Sequence, residues 1–298
     1  MALPKNSFRR RALFLDVDGT YAHHGVVPAA HVAAVRAARA AGHVVFLCTG
    51  RPVSLLSPHL LEAGFDGIVA GAGGHVTLLD RPSDADAKAE PASETILDIR
   101  FSLGLAARTL ALLDEAKTHY ILETPEGTFA NSESLALLAE RAALSTQPEY
   151  AYLGALVDIV AALEARDDLA GIAFTKATAF AGTRPMTEIV AELGDEVAMF
   201  PSSIADLGMG SGELYLATVN KATGMEAAIA RLGIPREDTV AFGDNLNDLE
   251  MIEYAGIGVA MASGVAEVIA VADVVTPGPE HDGLATAFVE LGLIAPPA

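Results

Sequence analysis

Two short segments place carboxylates at spacings that suit metal binding and nucleophilic chemistry. Asp16 and Asp18 are separated by one residue, and such residues project to the same side of an extended chain. Asp244 and Asp248 follow much later, in the segment Gly243-Asp-Asn-Leu-Asn-Asp248. Four carboxylates brought together repel one another unless a cation neutralises them, and hard oxygen ligands with room for water suit Mg²⁺. In the first pair, one carboxylate could stay ionised on the metal and attack, while the other carries a proton for a leaving group.

Other residues could hold an anion beside these carboxylates. Thr49 offers a hydroxyl, Gly50 a backbone N–H group and Lys221 a positive charge. An anion bound between a carboxylate nucleophile, Mg²⁺, a lysine and a hydroxyl indicates a phosphate ester. Taken alone, Asp18 and Gly19 could form only a turn, and Lys221 could be a solvated surface lysine. The combination of these residues, in this order along the chain, favours the functional interpretation.

The acidic and hydroxyl-bearing segments each follow an apolar run that is typical of a buried strand. The runs are Ala12–Leu15, Val44–Cys48 and residues 239–242, and they are apolar throughout, as in strands covered on both faces. Helical patterns alternate with these runs. This alternation predicts a parallel α/β sheet, in which ligands bind beyond the carboxyl ends of the strands.

The pattern changes in the middle of the chain. Helical segments there are mixed with strands, including two that flank the hairpin signal Pro125-Glu-Gly127. We therefore predict an α/β fold whose parallel-sheet core is formed by residues 1–81 and 218–298. Residues 82–217 are predicted to form an α+β domain inserted in this core.

Composition narrows the range of partners. The chain has 298 residues, of which 51% are hydrophobic, and this is enough for a packed core. Its net charge of −20 argues against nucleic acid or an anionic membrane as a partner. The single cysteine, Cys48, excludes an internal disulfide framework, and its predicted place in a buried strand argues against a thiol nucleophile. Apolar runs are too short for a membrane span or a signal peptide, which predicts a cytoplasmic protein. No feature of the sequence predicts the oligomeric state.

Together these segments resemble the motifs of the haloacid dehalogenase (HAD) superfamily, and within it the Cof-type (subfamily IIB) phosphatases with a large α/β cap. Asp16-Val-Asp-Gly-Thr20 is similar to the first motif and Thr49-Gly-Arg51 to the second. Lys221 is similar to the third motif and residues 243–248 to the fourth. The resemblance covers residues 12–80 and 218–285. It implies a Rossmann-like core and a Mg²⁺-dependent phosphatase acting on a small phosphorylated metabolite, such as a sugar phosphate.

The resemblance also implies a role for each site residue. Asp16 would attack phosphorus to form an aspartyl-phosphate, and Asp18 would protonate the leaving alcohol and then activate water. Mg²⁺ would be bound by Asp16, Asp244 and the main-chain carbonyl of Asp18. Asp248 would orient the waters of the metal. The groups implied to hold the phosphoryl oxygens are the N–H groups of Val17 and Gly50 and the side chains of Thr49, Lys221 and Asn247.

The sequence departs from the family pattern at three places. Relatives often carry Gly in place of Ala222, Gly-Asn-Ala in place of Ala262-Ser-Gly264, and Lys in place of Ile269. The direct ligands are intact, so a phosphatase is the favoured interpretation. Two alternatives stay open: a phosphotransferase or phosphomutase that uses the same aspartyl-phosphate, and a non-catalytic module that binds a phosphorylated ligand. His23 and His24 are either exposed loop residues or contacts to the substrate at the cleft mouth.

Overall fold

The computed structural model describes residues 9–80, 93–146, 154–201 and 210–296. The strands in these residues are β1 (Ala12–Leu15), β2 (Val44–Cys48), β3 (Gly67–Ala70), β4 (His75–Leu79), β5 (Ser93–Asp98), β6 (His119–Glu123), β7 (Thr128–Ala130), β8 (Leu163–Ala165), β9 (Lys176–Phe180), β10 (Val197–Phe200), β11 (Gly212–Leu216), β12 (Thr239–Gly243), β13 (Ile257–Met261) and β14 (Val274–Thr276). The helices are α1 (Ala29–Ala40), α2 (Leu103–Glu115), α3 (Ser132–Leu144), α4 (Gly154–Ala162), α5 (Met186–Leu193), α6 (Lys221–Leu232), α7 (Leu249–Tyr254), α8 (Ala266–Val271) and α9 (Gly283–Glu290).

The larger of two sheets has the strand order β14-β13-β12-β1-β2-β3-β4-β5. The strands from β14 to β3 run parallel, and β4 and β5 are antiparallel additions at one edge. Val35 of α1 packs with Leu13 on one face, and Met225 of α6 packs with Phe14 on the other. Because helices cover both faces, the central strands are apolar throughout. The predicted α/β fold with a parallel-sheet core is confirmed.

Strand β1 lies in the middle of this sheet, between β12 and β2. Leu15, its last residue, is aligned with Phe242 of β12 and with Leu47 of β2. The three strands therefore end at nearly the same level. The polar segments that follow them are delivered to one edge of the sheet, as the sequence predicts.

The smaller sheet has the strand order β10-β11-β9-β6-β7-β8. All neighbouring pairs are antiparallel except β7 and β8. One face packs against α2 and α5 through Leu113 and Ile189. Part of the other face packs against α3 and α4 through Leu138 and Leu156. Helices combined with antiparallel strands form the α+β unit that was predicted between the two parts of the core.

The chain passes between the two sheets twice, and both passages lie beside Gly74. The N–H group of Ile99 donates to the carbonyl oxygen of Gly74 at 2.7 Å. A Cβ atom placed on Gly74 would lie 3.2 Å from the carbonyl oxygen of Ile99 and 3.5 Å from Cγ1 of Val219. The outgoing and returning segments are therefore neighbours.

The sheet pairing of β5 bears on one predicted domain boundary. The boundary between residues 81 and 82 lies outside the described residues, but β5, which was assigned to the insertion, belongs to the larger sheet. Most of β5 is exposed, so its sequence Ser-Glu-Thr-Ile-Leu-Asp lacks the apolar run that identifies the central strands. We propose that the insertion begins after Asp98 and ends near residue 217, where β11 gives way to α6.

We expect Gly73→Ala to lower the free energy of unfolding by about 3 kcal/mol or more. Gly73 has a φ of +104°, and a Cβ atom there would lie 1.8 Å from the carbonyl oxygen of Asn220, so the start of α6 would have to move. Gly233→Ala is the matched control, because Gly233 has a φ of +64° and no atom near its Cβ position. Gly233→Ala should lower the free energy of unfolding by about 1 kcal/mol. Urea denaturation measures both, and equal losses in the two variants would contradict the packing argument.

Candidate active site

Three neighbouring strands bring polar residues to one edge of the larger sheet. Asp16 follows β1, Thr49 follows β2 and Asp244 follows β12. Asp248 lies one short turn beyond Asp244. One carboxylate oxygen from each of Asp16, Asp244 and Asp248 lies within 4.8 Å of the others. The structure therefore brings together three of the four predicted acids, and the side chain of Asp18 is outside this group.

A buried lysine links two of these carboxylates. Lys221 is 1% exposed, and its Nζ lies 2.5 Å from Oδ1 of Asp16 and 2.5 Å from Oδ1 of Asp248. Burial alone would lower the pKa of Lys221, but the two carboxylates hold it above its ordinary value. The ammonium therefore stays charged and fixes Asp16 relative to Asp248.

The protein engages both oxygens of Asp248, which is fully buried. Oδ1 accepts a hydrogen bond from Lys221, and Oδ2 accepts from the N–H groups of Asp244 and Asn245, each at 3.0 Å. These contacts fix the loop after β12. They fit the predicted indirect role of Asp248, in which it reaches a metal only through water.

The carboxylate cluster has more negative than positive charge. Burial raises the pKa of Asp16, and repulsion from Asp248 raises it further. Burial also raises the pKa of Asp244 to about 6. A hard divalent cation would relieve this repulsion, and oxygen donors are the ligands that Mg²⁺ prefers. The residues present therefore fit a Mg²⁺ ion.

Two residues in the loop after β1 position Asp244. Thr20 Oγ1 donates to Oδ1 of Asp244 at 2.7 Å, a contact that was not predicted from the sequence. Gly19 has a φ of +94°, and a Cβ atom there would lie 2.3 Å from Oδ2 of Asp244. Glycine is therefore required both by the backbone conformation and by the close approach of the carboxylate. Gly19 and Thr20 of the first motif thus position Asp244 of the fourth motif.

Asp18 lies apart from the buried carboxylates and pairs with Arg51. Its side chain is 52% exposed and accepts hydrogen bonds from Nε of Arg51 at 3.0 Å and from Nη2 at 2.7 Å. Such a bidentate pair orients both groups. The metal-binding role predicted for Asp18 concerns its main-chain carbonyl and does not involve this pair. Arg51 was part of the second motif but had no predicted role.

Two of the groups predicted to bind phosphate, Thr49 and Gly50, follow β2, which is the neighbour of the strand that precedes Asp16. Thr49 is buried, and its Oγ1 accepts a hydrogen bond from the N–H group of Arg51 at 3.1 Å, so its own proton can still be donated. The position of a Cβ atom on Gly50 would lie 3.6 Å from Nδ2 of Asn247. The loops after β2 and β12 thus approach each other here. Val17 follows Asp16 directly, and its side chain is buried.

The departures from the family pattern leave Asp244 supported. The N–H group of Val265 donates to the carbonyl oxygen of Asp244 at 2.8 Å. Gly264 packs so closely that a Cβ atom there would lie 2.6 Å from the same oxygen. Ser263 is exposed, and Ile269 packs against the apolar core on the α7 side of the sheet. Backbone contacts and apolar packing therefore stand where relatives carry polar side chains.

The histidine pair lies in the loop after the first motif, and the cysteine lies in β2. His24 is exposed with a φ of +49°, and its ring centre lies 4.2 Å from that of His23. Nδ1 of His23 lies 3.9 Å from Glu280. Burial raises the pKa of the Cys48 thiol, and the residue is fully buried, so it packs as a small apolar side chain.

Known proteins share both the sequence pattern and the fold. The haloacid dehalogenase-like hydrolase family matches residues 13–288. A Bacillus subtilis (strain 168) protein named "Putative phosphatase YkrA" is 30% identical over 290 residues, which are 95% of this chain and 98% of that protein. None of the helices in the described part of the chain is long and apolar enough to cross a membrane.

Solved structures extend this similarity over both sheets. The HAD phosphatase BT1666 from Bacteroides thetaiotaomicron has a TM-score of 0.75 at 22% identity, covering 98% of this chain and 99% of that one. The HAD subclass IIB sugar phosphatase BT4131 has a TM-score of 0.72 at 22% identity, covering 95% and 100%. The predicted superfamily and its Rossmann-like fold are confirmed. With a family match over most of its length and a full-length relative, the chain is an enzyme that belongs to the haloacid dehalogenase-like hydrolase family.

Proposed function

We propose that the protein is a Mg²⁺-dependent phosphatase that hydrolyses a small phosphorylated metabolite, such as a sugar phosphate, through an aspartyl-phosphate. The observation that carries this proposal is the contact of 2.5 Å between Lys221 and Asp16, which fixes a carboxylate among anion-binding groups. The names of YkrA as a phosphatase and of BT4131 as a sugar phosphatase agree with it. A cytoplasmic location is part of the proposal.

In the first step, a carboxylate oxygen of Asp16 attacks the phosphorus atom of the ester. The bond between this oxygen and phosphorus forms while the bond to the leaving alcohol breaks, and Asp18 donates a proton to the leaving oxygen. Two carboxylates take two of the three N–H donors of Lys221, so one remains for a phosphoryl oxygen. The hydroxyl of Thr49 supplies a second donor, and both are held in place before the reaction begins.

In the second step, the carboxylate of Asp18 takes a proton from water. The water oxygen attacks phosphorus, the bond to Asp16 breaks, and inorganic phosphate leaves. The pairing of Asp18 with Arg51 suits this step, because the guanidinium group orients the carboxylate through two hydrogen bonds. At least one of these hydrogen bonds must open when Asp18 acts as an acid.

The residues that would hold Mg²⁺ are Asp16, Asp244 and the main-chain carbonyl of Asp18. When bound, the ion offsets negative charge on the phosphoryl group during transfer. Asp248 holds the loop that carries Asp244, and Thr20 holds its carboxylate. These supports keep the acids in place whether or not a substrate is present.

One contact supports a covering role for the smaller sheet. Oγ of Ser54, in the segment that follows the second motif, lies 2.9 Å from Oγ1 of Thr128 on β7. A domain held in this position can exclude water from the site and contact the leaving group.

Asp16→Asn is expected to reduce phosphate release by about 10³-fold or more, because an amide cannot act as the nucleophile. Release of inorganic phosphate is measured across sugar phosphates, nucleotides and cofactor phosphates, with Mg²⁺ and with a chelator. Asp195→Asn is the control, since Asp195 is exposed on the smaller unit and the change in charge is the same. Phosphorylated product without free phosphate would instead show a phosphotransferase or mutase. Ligand binding without turnover would show a non-catalytic module.

Mg²⁺ is expected to raise the unfolding temperature of the wild-type protein but not of Asp244→Asn, by mass action on the folded state. In a chelator at about pH 8, Asp244→Asn should be at least as stable as the wild type. The pKa of Asp244 is raised to about 6 by burial, so its ionised form destabilises the folded state above that pH. Removing the charge removes this cost. A Mg²⁺-dependent rise in the unfolding temperature of Asp244→Asn would show that the ion binds at another site.

Arg51→Met is expected to lower kcat/KM by about tenfold to a hundredfold, because Asp18 loses the group that orients it. The kcat/KM of Arg51→Lys should lie between those of the wild type and Arg51→Met, since lysine keeps the charge but cannot form the bidentate pair. Arg231→Met is the control, because Arg231 forms a comparable pair with Glu94 on the same domain. Wild-type kinetics in Arg51→Met would exclude a positioning role for Arg51.

A further inference from the structure

A buried histidine on α1 contacts the loop that carries the first motif. Nδ1 of His31 lies 2.9 Å from the carbonyl oxygen of Tyr21, and both side chains are fully buried. A carbonyl oxygen only accepts hydrogen bonds, so Nδ1 must carry a proton and donate. His31 belongs to none of the four motifs, yet the residue that it holds is three positions beyond Asp18.

This N–H group is what distinguishes His31 from an ordinary core residue. His31 lies on the face of α1 that carries Ala34, Val35 and Ala38 into the core, where packing alone would favour an apolar side chain. Its other nitrogen, Nε2, is buried and has no hydrogen-bond partner among the described residues. Burial lowers the pKa of His31, and the carboxylate of Asp282 offsets this only in part, so the ring is neutral at neutral pH.

The loop that His31 contacts is closed by its own backbone. The N–H group of Tyr21 donates to the carbonyl oxygen of Asp16 at 3.1 Å. The N–H group of Ala22 donates to the carbonyl oxygen of Val17 at 2.7 Å. Tyr21 and Ala22 therefore close a loop that contains Asp18.

The interior of this loop carries groups of the proposed active site. Asp18 forms an isolated β-bridge with Ala22, and the N–H group of Gly19 donates to the carbonyl oxygen of Ala22 at 2.9 Å. Thr20, whose hydroxyl holds a carboxylate of the fourth motif, lies in the same turn. A shift of the residues that close the loop would therefore move the backbone of Asp18.

Helix α1 gives His31 a fixed base. The N–H group of His31 donates to the carbonyl oxygen of Pro28 at 3.0 Å, within the first turn of the helix. One turn later, Val35 packs with Leu13 of β1. The imidazole is thus fixed relative to the strand that ends just before Asp16.

We propose that His31 is a positioning residue for the acid role of Asp18. Its Nδ1–H group holds the carbonyl of Tyr21, and with it the closed loop, so that the carboxylate of Asp18 reaches the leaving oxygen. Without this donor, a buried carbonyl would lose its partner and the loop would relax. The inference rests on the proposed phosphatase activity and adds a residue outside the four motifs to that site.

The test uses two esters whose leaving groups differ in basicity. Phenolate is the more basic and needs a proton to leave, whereas p-nitrophenolate leaves with little help from an acid. The value of kcat/KM reports only the steps up to release of the phenol, so hydrolysis of the aspartyl-phosphate does not enter it. A defect in Asp18 as an acid should therefore be larger for phenyl phosphate.

Four proteins are compared: the wild type, His31→Leu, His31→Asn and His43→Leu. His31→Leu removes the donor at a similar volume, and His31→Asn keeps an N–H group at the position of Nδ1. His43→Leu is the matched control, because His43 is also buried and its Nδ1 accepts from the N–H group of Arg11 at 3.1 Å. That contact lies before β1, at the end of the strand opposite Asp16.

In His31→Leu we expect kcat/KM to fall by about thirtyfold for phenyl phosphate and by about threefold for p-nitrophenyl phosphate. His31→Asn should lie within about fivefold of the wild type for both esters, and His43→Leu within about twofold. Equal losses for the two esters in His31→Leu would overturn the proposal. An equal loss in His43→Leu would do so too, since it would show a general effect of stability. His31→Gln gives the same comparison if His31→Leu does not fold, because its amide reaches the position of Nε2.

Hydrogen exchange adds a readout that needs no turnover. The amide protons of Tyr21 and Ala22 should exchange faster in His31→Leu than in the wild type, and near the wild-type rate in His31→Asn. Unchanged exchange in His31→Leu would overturn the anchoring of the loop. Hydrolysis by the wild type, with the same dependence on the leaving group in His31→Leu, would retain the phosphatase and reject the inference. No release of phosphate from any ester would overturn the proposed function and the inference with it.

Discussion

The active-site edge of this protein depends on one buried positive charge. The ammonium of Lys221 is out of contact with water, and such a charge is tolerated only beside compensating groups. Asp16 and Asp248 supply this compensation from the segments that follow β1 and β12. The carboxylates in turn need the ammonium, because without it three acids would share a small volume. The relative positions of β1, β12 and α6 are therefore coupled through a single side chain.

The same constraint reaches into the helix that carries the lysine. The side chain of Asn220 accepts a hydrogen bond from the N–H group of Thr223 at 3.1 Å and so fixes the first turn of α6. Gly73 makes room for the carbonyl of Asn220 on the opposite side. The position of Lys221 is thus set by a helix cap and by a connection that contains no chemically reactive residue. The chemistry proposed for Asp16 depends on packing that no catalytic motif contains.

The sequence was most informative where burial is complete. Strands β1, β2 and β12 are covered on both faces, so their apolar runs identified a parallel sheet and the edge at which Asp16, Thr49 and Asp244 meet. Residues 93–98 were assigned to the insertion, although β5 pairs with β4 in the larger sheet, because an exposed edge strand needs no apolar run. The pairing of Asp18 with Arg51, and the ion pair of Lys176 on β9 with Glu213 on β11, join residues that are far apart in sequence within segments of ordinary strand or loop composition. No periodicity or motif records such pairings.

The two adjacent passages of the chain at Gly74 bear on how such a protein can change over evolution. An insertion whose first and last residues are neighbours leaves the path of the host chain unaltered, so the host sheet does not need the insertion to close. The unit between these passages can be lengthened, shortened or exchanged as a block, while Lys221 and the carboxylates keep their arrangement. Diversity of substrates can therefore arise in one part of the gene while the reaction is conserved in the other.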